Sequence, residues 1–149
     1  MGEKVKIRQN NKFEIQFWAP DSHDEASHEL LQITQLHALT PYGMMLASLG
    51  SCTTIVLHTY AQNHNIDLHE VRILLEYERT FSDEFELYQG VQSFQEHITE
   101  EIELIGGFDP EQRQKLFNIS KQCSIHKMFE HGIEIHSNLL NGDQLPSPE

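Results

Sequence analysis

These 149 residues read as an α+β domain, on three observations. Apolar residues alternate with period two near the N-terminus and again over 71–77 and 98–104, as in strands with one buried face. Between those stretches the uncharged segment from Pro41 to Leu57 repeats its apolar residues at helical steps. A second helix is signalled by capping residues at Asp109. The length fits one ordinary domain, 1–149.

The elements follow in order. Val5 and Ile7, then Phe13, Ile15 and Phe17, share faces across the turn signal "QNNK", which predicts a β-hairpin. "APDSHDEASHE" reads as loop, and the mixed "LLQITQLHAL" is left undecided. Thr40-Pro41 starts a helix, with Thr as N-cap and Pro in the first turn, running to about Asn63. Met45, Leu49, Cys52, Val56 and Tyr60 share one face of it; Ala47, Gly50 and Thr54 form a small-residue face that invites close approach of another backbone. A helix apolar almost all round is buried on most sides.

Next, Val71, Ile73, Leu75 and Tyr77 point one way, and Arg72, Glu76 and Glu78 the other. Ile98, Ile102 and Leu104 continue the pattern in a second strand, with the glutamates of 100–103 expected on its outer face. The connection "SDEFELYQGVQS" is longer than a tight hairpin needs. Asp109, Pro110 and Gln112 spell a capping box, and Leu116, Ile119 and Cys123 share a face, which places Cys123 near the end of that second helix. Gly132 breaks the short segment "SIHKMF", and "IEIHSNLL" predicts a final strand. The expected order is ββ, α, ββ, α, β. The tail from about 141 is expected to fray.

Ten basic and 23 acidic residues leave a net charge of −13. Such a chain repels nucleic-acid backbones and anionic membrane surfaces, so neither is an expected partner. The apolar segment is too short and too rich in Gly, Ser and Thr to span a bilayer. No apolar run follows the charged N-terminus, so a cytoplasmic location is expected. Cys52 and Cys123 do not make the disulfide framework of a small secreted domain.

Three uses of the cysteines stand open on the residues alone. Free cysteines are often inert core fillers. Two buried helices packed together also bring thiols within the ~7 Å between Cα atoms that a disulfide needs, and a reactive thiol then requires a cation, a helix N-terminus or a histidine beside it. Cys52 is mid-helix and gains little from its own helix dipole, whereas His126 and Lys127 follow Cys123. The third use is a zinc site of Cys52, Cys123 and His126. His58 and His64, on later turns of the long helix, are expected in solvent.

The stretch "TPYGMMLASLGSCTTIVLHTYAQNHNIDLHEVRILLEYER" resembles the segment in which the OsmC/Ohr superfamily carries P-x-x-L-L-x-A-x-x-x-C-x before a long helix. "ISKQCSIH" resembles that family's second motif, C-P-V-H, with Ser124 where proline is usual. The likeness covers residues 41–80 and 109–135; the first forty residues match only as a hairpin-like lead-in. It implies an intertwined homodimer with N-terminal hairpin, central cysteine helix and second cysteine helix. It also implies an antioxidant reaction: Cys52 attacks a peroxide oxygen, Cys123 resolves the sulfenic acid as a disulfide, and an external dithiol such as a dihydrolipoyl group resets the pair. No bound cofactor or metal is implied. An apolar wall including Met45, Val56 and Met128 would suit a fatty or aromatic hydroperoxide.

The chain departs from the family in two places that bear on chemistry, the motif glutamate and the arginine it positions. The glutamate that positions an activating arginine is replaced by Tyr42 and Gly43. Arg8 is the only arginine before Cys52; Arg72 and Arg79 lie on the strand after the helix and read as solvent-facing. Tyr42 either offers a hydroxyl that stands in or is plain packing, and His126 is a further supporting group. Without a cation the Cys52 thiol would sit near its free value, mostly protonated at neutral pH. An inactive dimeric scaffold binding a small apolar ligand is therefore the alternative function.

Overall fold

A computed structural model describes residues 2–21, 24, 26–81 and 94–142. The expected hairpin forms from β1 (Gly2–Asn10) and β2 (Ile15–Pro20), paired antiparallel with Ile7 opposite Phe17. Phe13 is not on a strand: it takes a left-handed φ of 65° in the turn, where its ring edge meets His58. The undecided segment resolves into β3 (Leu30–Ile33), paired with β2, and a 3-10 turn at Leu36–Ala38.

Helix α1 runs Pro41–Asn63, and the Thr40 hydroxyl accepts from the Gly43 amide as the capping rule requires. β4 (Leu68–Phe81) and β5 (Phe94–Gly106) are antiparallel. The sheet is ordered β3-β2-β1-β4-β5. The connection between β4 and β5, at 82–93, lies outside the described residues, as does the tail from 143.

α1 lies across β1 and β4 at the middle of one sheet face. Val5, Ile7, Val71, Ile73 and Leu75 are buried beneath it, while Lys4, Arg8, Arg72 and Glu76 alternate onto the opposite face. The small-residue stripe makes this possible. A Cβ at Gly50 would overlap Ile7 Cδ1 and stand 2.9 Å from Leu75 Cδ1. Thr53 and Thr54 send their hydroxyls back to the carbonyls of Leu49 and Ser51, so both are buried without an unpaired donor.

α2 (Pro110–Ser120) carries the full capping box between Asp109 and Gln112. α2 and a third helix, α3 (Ser124–His131), pack against α1. That third helix corrects the placement of Cys123. α2 ends at Ser120, and Cys123 is the N-cap of α3, with backbone φ −58° and ψ 134°. α3 stops at Gly132, whose φ of 80° favours a residue without a side chain.

Two further expectations are corrected. Residues 132–141 form no strand. A strand needs a ladder partner, and this segment pairs with neither sheet edge; Ile133, Ile135 and Leu139 stand 66%, 83% and 96% exposed. His58 is buried at 1% exposure, not solvated, because its turn of α1 faces β1 and its Nε2–H donates to the Gln9 carbonyl at 3.0 Å.

Candidate thiol site

Cys52 lies on the face of α1 turned toward α2 and α3, one helical turn beyond Leu49. It is half-buried, and Cys123 is fully buried beside it. The two are near enough to influence each other's ionisation, and both are free thiols. What brings them together is the turn between α2 and α3, which directs the first residues of α3 at the middle of α1.

That arrangement gives Cys52 the dipole its own helix denies it. Burial pushes its thiol up, but the neighbouring Cys123 thiol and the polar groups of Ser124 and Ile125 at the start of α3 outweigh the effect and leave it below its ordinary value. The Ser124 Oγ is 3.9 Å from Sγ. Orphan amides at a helix N-terminus favour an anion in front of them. Cys123 shifts the other way. Burial and the neighbouring Cys52 push its thiol up, against a smaller pull from the amides of His126 and Ile125. One thiol is thus disposed to be an anion and the other to stay protonated and donate to it.

The arginines weighed from sequence are engaged elsewhere. Arg8 alternates onto the sheet face away from α1, bonded to Glu70 and Gln16. Arg72 pairs with the same Glu70 at 2.7 Å and with Glu103. Arg79 is not a plain solvent-facing side chain: it donates to the hydroxyls of Tyr42 and Tyr77, at 3.0 and 3.2 Å, and pairs with Glu96 at 3.3 Å. Tyr42 stacks on Tyr77, ring centroids 5.0 Å apart. Ten residues before Cys52, or roughly 15 Å along the helix, its hydroxyl serves Arg79 rather than the thiol.

A cavity of about 570 Å³ opens between α1, β5 and the two short helices; neither cysteine lines it, but Leu49, one turn before Cys52, and His126, three residues after Cys123, do. Met45, Leu49, Ile98, Ile102, Phe117 and Phe129 give it apolar walls. His126 lines it too, with Nδ1 3.0 Å from Glu130 Oε1, close enough for an ion pair but without hydrogen-bond alignment. Glu100 also faces the cavity and is a correction, having been expected on the outer face. The signal was present: Glu100 alternates in step with Ile98 and Ile102, so period two puts all three on one side. Among the described residues no three His, Cys, Asp or Glu converge as a metal site, so Cys52, Cys123 and His126 do not form the zinc centre considered above. Nor is any helix of the described residues long and apolar enough to cross a membrane.

A family model described as OsmC-like protein matches residues 34–138, from just after β3 through both cysteines. The fold is similar to the crystal structure of an OsmC-like hydroperoxide resistance protein from Jannaschia sp. CCS1, at a TM-score of 0.63 and 15% identity over 96% of each chain. The organic hydroperoxide resistance protein OhrB of Bacillus subtilis is more distant, with a TM-score of 0.44 and 18% identity over 87% of this chain and 90% of its own. No curated protein matches the sequence.

Proposed function

The chain belongs to the OsmC-like family, and from that premise we propose that it is a thiol-dependent peroxide reductase with a two-cysteine cycle. The observation that carries this reading is that Cys52 faces the start of α3, its Sγ 3.9 Å from Ser124 Oγ, where Cys123 is the N-cap; the two thiols shift in opposite directions, Cys52 down and Cys123 up. A nucleophile needs thiolate character, and a resolving thiol needs only to wait within reach.

The Cys52 thiolate attacks the terminal oxygen of a hydroperoxide. The O–O bond breaks, an alcohol leaves after protonation, and Cys52 becomes a sulfenic acid. Cys123 then attacks the sulfenic sulfur, water leaves, and a disulfide forms. An external dithiol reduces it by exchange, so no bound cofactor is needed. The α3 N-terminus takes over the work that an arginine beside the thiol would do. The apolar cavity supports an organic hydroperoxide as substrate.

A homodimer in a reducing, cytoplasmic compartment belongs to the same reading. Its support is the apolar surface left open on the single chain, from Ile55, Phe117 and Phe129 to the extended 133–140 segment. A partner chain could supply the ladder that segment lacks.

Reduced protein mixed with a slight excess of an organic hydroperoxide tests the reading. Both thiols should disappear with one peroxide consumed per pair. Cys52→Ser should not react, and Cys123→Ser should stop at a sulfenic acid. Thiols that survive millimolar peroxide for minutes would favour the second reading, a scaffold that binds a small apolar ligand in the cavity.

A further inference from the structure

The position of Glu100 is fixed by register. It stands directly opposite Leu75 on β4, so the two side chains leave the sheet on the same side. Leu75 is fully buried under α1, and its Cδ1 is one of the atoms against which Gly50 lies. Glu100 is therefore one strand away from the point where α1 touches the sheet at Gly50; Cys52 follows two residues later, on the opposite side of α1. Glu100 lines the same cavity as Leu49, one turn before Cys52, and as His126, which follows the Ile125 amide aimed at the sulfur.

An acidic side chain on the inner face of a strand, between Ile98 and Ile102, has no packing reason to be there. We propose that Glu100 is the general acid of peroxide cleavage, a catalytic residue that hands its proton to the departing oxygen. The inference rests on the two-cysteine reading above and adds a proton donor to it.

The step balances as follows. The Cys52 sulfur forms a bond to the terminal OH of R–O–O–H, and the O–O bond breaks with its electron pair going to RO⁻. Glu100 gives its carboxyl proton to that oxygen, releasing ROH. Cys52 is oxidised to the sulfenic acid, the peroxide is reduced, and the carboxylate regains its proton from solvent. An alkoxide is a poor leaving group, so a proton delivered as the bond breaks lowers the barrier.

Burial holds the Glu100 carboxyl above its ordinary range, against a smaller opposing pull from His126. The other titratable groups around the cavity are Tyr42 of α1, Tyr77 of β4, Glu96 and His97 of β5, and Lys121 after α2. Glu130 of α3 lies within ion-pairing distance of His126.

The test varies the leaving group. In single-turnover oxidation of Cys52, Glu100→Gln should slow reaction with tert-butyl hydroperoxide by about 100-fold or more. It should leave peracetic acid little changed, because acetate departs without a proton. Alkylation of Cys52 by iodoacetamide, which also needs no acid, should be unchanged, and Glu100→Asp should restore part of the loss. Independently of any variant, the unmodified protein should show a solvent deuterium isotope effect with the alkyl hydroperoxide and almost none with the peracid. Equal losses for both peroxides, no loss for either, or equal isotope effects would overturn the role of Glu100. Unmodified protein that consumes neither peroxide would instead sink the two-cysteine reading itself.

Discussion

The two faces of α1 are made for opposite purposes. One carries Gly43, Leu46, Ala47, Gly50, Thr53, Leu57 and Ala61, all buried. Small residues alternate there with leucines, so the helix axis can sit down on β1 and β4 until Gly50 touches Ile7 and Leu75. The other carries Met45, Leu49, Cys52 and Val56, and the matter facing it is two short helices and a cavity rather than a sheet. Tight packing on the first face holds the helix still. Space on the second lets a substrate approach a thiol whose position the first face has already fixed. The polar groups follow the same division: on the packed face every buried hydroxyl returns to its own helix, whereas Cys52 takes its partners from another helix.

This contrast can be broken from the packed side. Leu57→Ala empties a fully buried site and should cost about 2–5 kcal/mol in denaturant unfolding. Gly50→Ala should cost about 1–3 kcal/mol, because a methyl there must displace Ile7 and Leu75 in a filled core. Its effect on Cys52 reactivity should be the more telling readout, since lifting α1 off the sheet moves the thiol relative to α3. Asp109→Ala removes the cap of α2, which walls the cavity, and should cost about 1 kcal/mol.

The smallest effect at neutral pH concerns His58. Burial depresses its pKa, against a smaller opposing effect of its bond to Gln9. The unfolded chain therefore binds a proton more readily than the fold does. Stability is untouched above about pH 6.5 and falls as pH drops from there toward the depressed folded value. His58→Gln should flatten that acid-side slope in a series of unfolding curves while leaving the thiol face alone.

How much of this was legible beforehand differs between the faces for a physical reason. The packed face follows from local rules: Thr40 and Pro41 start the helix, spacing sorts its sides, and period two sorts the strands. These contacts lie within the reach of periodicity. The capping box at Asp109 is equally local. The thiol face depends on a turn. Whether Cys123 ends α2 or begins α3 is decided by two residues, Lys121 and Gln122, that carry no strong breaker. On that decision rests whether the amides of Ser124 and Ile125 reach Cys52. The Arg79–Tyr42 contact joins residues 37 apart in sequence and was not visible from either. Glu100 was legible but was assigned by charge rather than by its place in the alternation. The segment 133–140 has strand-like alternation that this chain alone does not satisfy.

The measurement that bears most directly on the account is pH-dependent alkylation of the two thiols, followed by peptide mass analysis. Limiting iodoacetamide should modify Cys52 first, with a midpoint below the ordinary thiol value, and Cys123 later, with a midpoint above it. Ser124→Ala should move the Cys52 midpoint upward without moving that of denatured protein. If Cys123 reacts first, or if Cys52 titrates as an ordinary thiol, the helix N-terminus does not hold a thiolate and the proposed peroxide chemistry loses its basis.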